Sequence, residues 1–278
     1  MSTSTSEEDY QENNKIIEEN SEKDGNPKIL TTLGVHPCYS ENVLKECEGD
    51  WEKVDGYFEK MKKIFEEQPK NLMAIGECGL DYARLSFSPK ETQIEFFKRH
   101  FDLLTKLPEE KRPPMFLHMR DCLNDFIEIL SKNRHVFPGG VVHSFTGSVE
   151  DAETLLAFSD KLFIGLNGCS LREEQGIKVA AMLPLDRIMI ESDAPYCEMR
   201  ATHASRPFLI DFNWSIPKAL DKEKHSMDNP VRGRNEPIET RRVLRVLSKI
   251  RGVDEEELSE IIYKNTLILF PKCEKEHF

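Results

Sequence analysis

The chain has 278 residues, a formal net charge of −12 and 38% hydrophobic residues, which together suit one large α/β domain. The excess of acidic residues argues against a protein that holds nucleic acid through a global basic field. No apolar run is long enough to span a bilayer, and the polar N-terminus lacks the apolar region of a signal peptide. Seven scattered cysteines, with no Cys-x-x-Cys pair, predict reduced thiols in a cytosolic or nuclear protein.

The first 28 residues read as a separate acidic segment that is partly disordered. Residues 1–9 are polar, acidic and aperiodic, which predicts disorder. Residues 11–22 fit a polar helix that the Asn26-Pro27 pair ends. Residues 29–278 form the folded domain.

In that domain, strands and helices alternate along the chain. Apolar runs predict strands at 29–35, 72–76, 115–117, 140–142, 161–166 and 187–191. Helical periodicity predicts helices from residue 50 and at 89–107, 122–130, 149–158, 175–182, 240–249 and 254–265. Residues 202–236 form a long polar insertion without a clear pattern. The alternation implies parallel βαβ units.

Four of these strands run into a side chain that can bind metal. Glu77 follows strand 72–76 where we expect the strand to give way to a loop, and His118, His143 and Asp193 follow later strands. A carboxylate at the end of an apolar strand is costly to desolvate, and a metal ion is one common way to neutralise it. Because the carboxyl ends of parallel strands share one face, the pattern is typical of a (β/α) barrel active site.

Five ordered motifs at these strand ends resemble the signatures of the TatD family of metal-dependent deoxyribonucleases. They occupy residues 34–37, 75–81, 116–120, 142–147 and 191–196. Residues 167–171, 202–204 and 234–237 are similar to the eukaryotic branch of that family. The resemblance covers roughly residue 29 to the C-terminus and implies a TIM-type (β/α) barrel of the metallo-dependent hydrolase group.

Only six of the eight strands of such a barrel are recognisable. The family pattern opens with a strand, a helix and a second strand, and residues 1–28 stand in their place here. The resemblance therefore implies that two strands are absent and that residues 11–22 remain from the helix after the second. A barrel with open edges needs a partner chain or an oligomer to cover them, or is a truncated inactive isoform.

The resemblance implies that Glu77, His118, His143 and Asp193 bind two divalent ions and that Glu77 bridges them. Two ions about 3.5–4 Å apart can activate water and stabilise the charge of a phosphodiester under attack. Asp193 and Glu77 are then the catalytic pair, with Asp193 able to accept the proton of the attacking water. Mixed imidazole and carboxylate ligands accommodate Mg, Mn or Zn and do not select among them.

The substrate implied is DNA, in a nuclear or cytoplasmic enzyme that hydrolyses ester bonds. The predicted substrate contacts are His36, Arg120 and His203. Asp81 is expected to fix the loop after Glu77, with Arg84 or Arg120 as partner, rather than to touch the substrate. The other histidines, at 100, 135, 225 and 277, are read as surface or helix residues. Fold alone leaves open a metallo-hydrolase of another substrate.

Overall fold

The computed structural model describes residues 1–21, 28–212, 214, 217–224, 226 and 228–273. Its six strands form one parallel sheet in which the spatial order follows the sequence. They are β1 Thr31–Leu33, β2 Leu72–Asp81, β3 Met115–Arg120, β4 Gly140–His143, β5 Leu162–Leu166 and β6 Ile188–Ile190. Within the described chain β1 and β6 stand at the two ends of this order, and no pairing joins them. The predicted alternation is confirmed.

Nine α-helices are present among the described residues. They are α1 Glu7–Ser21, α2 Ser40–Glu46, α3 Trp51–Glu67, α4 Lys90–Lys106, α5 Leu123–Lys132, α6 Val149–Phe158, α7 Glu174–Met182, α8 Thr240–Arg251 and α9 Glu255–Leu269. The start of α9 follows from its cap, because the Asp254 carboxylate accepts a 2.8 Å hydrogen bond from the Glu256 N–H. No described helix is both long enough and apolar enough to cross a membrane.

The second strand is longer than its apolar run indicates. We expected it to stop at Gly76, but it continues to Asp81 with all ten residues buried, so Glu77 lies inside a strand. Its pairing with β3 is irregular between Ile75 and Cys78. Gly76 and Gly79 have φ near +145°, and a Cβ atom on either would collide with a carbonyl oxygen of β3. These glycines therefore mark close strand approach rather than a turn.

The N-terminal residues are ordered, contrary to the expectation for residues 1–9. Ser2 forms a parallel bridge with Thr31, Ser4 and Ser6 are buried, and α1 begins at Glu7. The hydroxyl side chains of this segment form hydrogen bonds with other polar groups. The pattern of apolar residues in the sequence does not predict such contacts. The division of the chain at residue 28 stays a prediction.

The chain separates into two compact units. The first comprises the described residues of Met1–Val142, Phe158–Leu162 and Leu267–Phe278. Aromatic rings from α4 and α5 fill its core, with Phe97 stacked on Phe126 at 5.3 Å between ring centroids. The end of the described chain returns to β2, where Lys272 Nζ donates to the carbonyls of Pro69 and Leu72 at 3.0 and 2.6 Å.

The second unit comprises His143–Ala157 and the described residues of Phe163–Thr266. Its helix α8 buries Val243, Val246 and Leu247. Arg251 at the end of α8 donates to carbonyl oxygens at the end of α7, including Leu183 at 2.6 Å. The described residues of the predicted insertion form short 3₁₀ turns, such as Arg206–Leu209, and one isolated parallel bridge between Leu220 and Val231.

Candidate metal centre

Three side chains that can bind metal meet in the first unit. His36 follows β1, Glu77 lies in β2 and His118 in β3, and these three strands are neighbours in the sheet. His36 Nε2 lies 3.3 Å from Glu77 Oε1, and His118 Nδ1 lies 2.7 Å from the same oxygen. One ligand atom from each residue lies within 4.8 Å of the other two. We call these three residues the Glu77 cluster.

The donor set of the Glu77 cluster fits a divalent cation. Ligand atoms that surround one ion at about 2.0–2.2 Å lie about 3–4 Å apart, close to the spacing found here. A carboxylate and imidazole nitrogens bind Zn, Mn and similar ions. The cluster is also partly shielded from water, with 8% of the Glu77 surface exposed. A cation would therefore replace the contacts that these side chains now make with each other.

His36 has a different hydrogen-bonding role from Glu77 and His118. Its Nδ1 accepts a 3.0 Å hydrogen bond from the Cys38 N–H, so in the neutral ring Nε2 carries the proton and donates to Glu77. Burial disfavours the charged ring, but the charge of Glu77 and the hydrogen bonds with Cys38 and Glu77 together outweigh burial, and the pKa of His36 lies above its ordinary value. His36 is arranged as a hydrogen-bond donor, and its Nε2 lone pair is not available to a cation in this tautomer.

The ring of His118 is oriented by Asp81. His118 Nε2 lies 3.2 Å from Asp81 Oδ2, while Nδ1 faces Glu77. In the tautomer that donates Nε2–H to Asp81, Nδ1 is the ligand atom for a cation beside Glu77, an arrangement common among metal-binding histidines.

Arg120 in turn holds Asp81. Two guanidinium nitrogens of Arg120 donate to the two Asp81 oxygens at 3.0 and 2.7 Å. Burial alone would raise the pKa of Asp81, but His118 and Arg120 hold it well below its usual range. The Asp81 backbone is fixed by Gln93 of α4, whose side chain accepts from its N–H and donates to its C=O. Arg120 is thus the partner of Asp81, as expected, but the expected loop after Glu77 is absent because β2 continues to Asp81, and Asp81 faces His118 instead.

His143 and Asp193 lie in the second unit. His143 ends β4, is 5% exposed, and its Nδ1 lies 3.6 Å from Glu191 Oε2. The other oxygen of Glu191 accepts the Ser144 N–H. Sequence reasoning did not assign a role to Glu191, although it directly follows β6. It is an acidic neighbour of the His143 ring.

Asp193 lies on the loop after β6. Its backbone is left-handed, with φ +52°, and its Oδ2 lies 3.2 Å from Cys197 Sγ. A hydrogen bond with Cys169, burial and the Asp193 charge together raise the pKa of Cys197 well above its usual range. Asn235 anchors this loop, because its side chain donates to the Ser192 carbonyl at 2.7 Å.

His203 lies farther along that loop, in the wall of an open cleft of about 450 Å³ that Arg172 and Arg206 also line. Its Nδ1 accepts the Arg200 N–H at 3.3 Å, so Nε2 carries the proton of the neutral ring. Burial and the charges of Arg172 and Arg200 lower the pKa of His203 and favour that neutral form.

The predicted site residues thus fall into the two units. His36, Glu77, His118 and Arg120 are in contact, directly or through Asp81, in the first unit. The remaining three, His143, Asp193 and His203, belong to the second. His100 was read as a surface or helix residue; it lies in α4 but is fully buried, and its Nε2 accepts the Val35 N–H at 3.1 Å.

Comparison with known proteins identifies a family and several relatives of this chain. The model of the TatD related DNase family matches residues 1–271. The deoxyribonuclease Tat-D of Schizosaccharomyces pombe is 36% identical over 248 residues, covering 88% of this chain and 75% of its own. A 3'-5' ssDNA/RNA exonuclease TatD of Rahnella is 34% identical, covering 72% of this chain and 65% of its own.

A solved structure shares the fold. An uncharacterized amidohydrolase from Saccharomyces cerevisiae superposes with a TM-score of 0.84 at 31% identity, covering 96% of this chain and 87% of the other. The six-stranded sheet is therefore that of a TIM-type (β/α) barrel of the metallo-hydrolase group, not closed by hydrogen bonds between its described strands. With a family match across nearly the whole sequence, this chain belongs to the TatD related DNase family.

Proposed function

We propose that this protein is a divalent-metal-dependent deoxyribonuclease that hydrolyses the phosphodiester bonds of DNA. The observation that carries the proposal is the chain of contacts from Arg120 through Asp81 and His118 to Glu77. A fully buried carboxylate is used here to orient one imidazole toward another carboxylate, which is how a ligand pair is prepared for a cation. The deoxyribonuclease and exonuclease names of the relatives support the substrate class.

The proposed metal ligands are Glu77, His118, His143 and Asp193, with Glu77 as the bridging ligand of two ions. Bound cations would supply an activated water and positive charge for the phosphoryl oxygens. With the cations bound, Asp193 would be the residue that accepts the proton of the attacking water, and Glu191 would help to keep the His143 ring in place. The number of ions, and the choice among Mg, Mn and Zn, stay predictions.

Three further residues are proposed to bind the substrate. His36 is suited to this role because its Nε2–H can be donated to a phosphate oxygen, as it is donated to Glu77 here. The Nε2–H of His203 is in the same state and lies in an arginine-lined cleft. Arg120 is engaged by Asp81 while a third of its side-chain surface stays exposed, so contact with phosphate uses that exposed part.

Two other expectations stay predictions. One is a partner chain or a second copy that covers the edge strands of the sheet. The other is a nuclear or cytoplasmic location.

The test is cleavage of plasmid DNA and of 3'-labelled DNA and RNA oligonucleotides by the full chain with Mg, Mn and Zn. The Glu77→Ala/Asp193→Ala double variant should lose all metal-dependent cleavage, while a variant at two exposed acids, Glu109→Ala/Asp228→Ala, should retain it. Equal cleavage by the wild type and the Glu77/Asp193 variant would refute the proposed site.

The alternatives predict different results. Turnover of small phosphoesters without cleavage of nucleic acid would assign the same centre to another substrate. A cooperatively folded protein that binds metal but cleaves neither kind of substrate would be the inactive form.

A further inference from the structure

The first residues of the chain contact the backbone of the Glu77 cluster. The Glu77 N–H donates to the Ser4 carbonyl at 3.1 Å, and the His36 N–H donates to the Thr5 carbonyl at 3.1 Å. Two of the three cluster residues therefore have their backbone held by consecutive carbonyl groups of one short segment. We call residues 2–6 the N-terminal clamp.

The clamp is attached to β1 by main-chain and side-chain hydrogen bonds. The Ser2 N–H donates to the Leu30 carbonyl at 2.7 Å. The hydroxyl of Thr31 donates to the Ser2 carbonyl at 2.9 Å, and the hydroxyl of Thr32 accepts the Ser4 N–H at 3.1 Å. Both threonine side chains are fully buried. Two hydroxyl groups of β1 thus bind the clamp without contacting Glu77 or His36 in any described hydrogen bond.

The other end of the clamp is fixed by the start of α1. Thr5 donates its N–H to Asp9 Oδ2 at 3.0 Å, and the Asp9 N–H donates to Ser6 Oγ at 3.2 Å, a reciprocal cap. The side chain of Asn13 donates to Ser4 Oγ at 2.9 Å. The carbonyls of Ser4 and Thr5 consequently have a defined position from both directions.

Loss of the clamp would remove the Ser4 carbonyl as acceptor of the Glu77 N–H, in a strand whose residues are all buried. A buried N–H must find another partner or water, so the Glu77 backbone would shift. Metal affinity is sensitive to such shifts, because ligand atoms must be held at distances defined to a few tenths of an ångström.

We propose that the N-terminal clamp is a positioning element of the metal centre, which sets its affinity for divalent cations by holding the backbone of the ligand Glu77 and of His36, whose Nε2–H is donated to the Glu77 carboxylate. This inference rests on the proposed function only in taking the Glu77 cluster as a metal site. It assigns a role in that site to residues that carry no ligand atom.

The test uses the full chain with Thr31→Val/Thr32→Val, which removes both hydroxyls at nearly constant volume and alters no residue of the cluster. The control, Thr105→Val/Thr266→Val, removes two hydroxyls that donate to their own helices at 2.9 Å. Each protein is assayed for amide hydrogen exchange at Glu77 and His36 and for Mn²⁺ affinity by calorimetry.

The expected result is faster exchange at both amides and an affinity for Mn²⁺ about 10-fold weaker in the β1 variant, at the lower end of the effect of outer-shell partners. The control should match the wild type in both measurements. Recovery of tight binding in Thr31→Ser/Thr32→Ser, which restores the hydroxyls, would show that they are responsible.

Unchanged Mn²⁺ affinity with faster amide exchange would overturn the proposal, and so would an equal loss of affinity in the control. If the valine variant does not fold, the single change Ser4→Ala, which removes the contact with Asn13, is measured in the same way. A wild type that binds Mn²⁺ through Glu77 but leaves DNA intact would defeat the proposed function alone, and the affinity comparison would still decide the role of the clamp.

Discussion

Asp81 lies 37 residues from His118 and 39 from Arg120 along the chain, yet it contacts both side chains. A carboxylate so deeply buried is stable only when its charge is compensated, and these two partners provide that compensation. Asp81 therefore orients the His118 ring, and Arg120 holds the Asp81 carboxylate in place.

Asp81→Asn should weaken divalent-cation binding by about 10- to 100-fold, because the amide is a poorer acceptor for the His118 N–H and no longer attracts Arg120. Titration calorimetry with Mn²⁺ measures the change, and the exposed Asp160→Asn serves as the control. An affinity equal to that of the wild type would show that Asp81 has no part in binding.

His100 makes the free energy of unfolding depend on pH between about 6.5 and 4. Burial lowers the pKa of His100 to about 4 from an ordinary value of 6.5, so the unfolded chain binds a proton that the folded one rejects. Above pH 6.5 the ring is neutral in both states and its burial carries no cost from protonation. As the pH falls from 6.5 toward 4 the unfolded chain takes up the proton first, and the free energy of unfolding decreases by about 3 kcal/mol in all.

His100→Gln, which can still accept from Val35 and donate to Phe96, should therefore flatten the fall in unfolding free energy between pH 6.5 and 4. Urea unfolding at several pH values measures it. Parallel curves for the two proteins would contradict the assignment.

At the scale of elements, the backbone of β3 approaches that of β2 closely at Gly76 and Gly79. The two glycines of β2 allow carbonyl groups of β3 to occupy the space of a side chain. This close approach brings Glu77 of one strand against His118 of the other. Packing of these two strands therefore brings two of the four proposed metal ligands together.

Gly79→Ala should destabilise the protein by about 2–4 kcal/mol, since it combines an unfavourable φ with a collision against the His118 carbonyl. Gly233→Ala is the matched control, because its φ is +76° but no atom lies within 4 Å of the added Cβ. It should cost about 1 kcal/mol. Equal losses of unfolding free energy in denaturant would argue against the collision.

Elements with strong apolar periodicity could be predicted from the sequence, and α6 was predicted with its observed bounds. The candidate ligand residues could be proposed from the sequence, because each stands at the end of an apolar run, and their role as ligands stays a prediction. The full length of β2 could not, since glycine is equally typical of a turn and of close strand approach. The N-terminal clamp was missed because its partners are hydroxyls and carbonyls distant in sequence, which leave no periodic signal.

At the scale of the whole molecule, the acidic net charge of −12 opposes an anionic substrate. Bound cations would offset that charge at the centre. They would also stabilise the fold, because a ligand that binds only the folded state shifts the unfolding equilibrium.

The wild type should gain about 2.7 kcal/mol of unfolding free energy in Mn²⁺ at 100 times its dissociation constant, with a higher melting temperature. Calorimetric melts with Mn²⁺ and with chelator measure the gain. Glu77→Ala should show little of it, whereas an equal shift in this variant would mean that the ion acts elsewhere.

The return of Lys272 to the carbonyls of Pro69 and Leu72 has a consequence for biosynthesis. The three residues of the Glu77 cluster have all been synthesised by residue 118. The start of β2, which carries Glu77, receives the hydrogen bonds from Lys272 only after residue 272 is made. At about 5–20 residues per second, that interval is on the order of ten seconds. During translation the nascent first unit therefore lacks these two hydrogen bonds until residue 272 has left the ribosome.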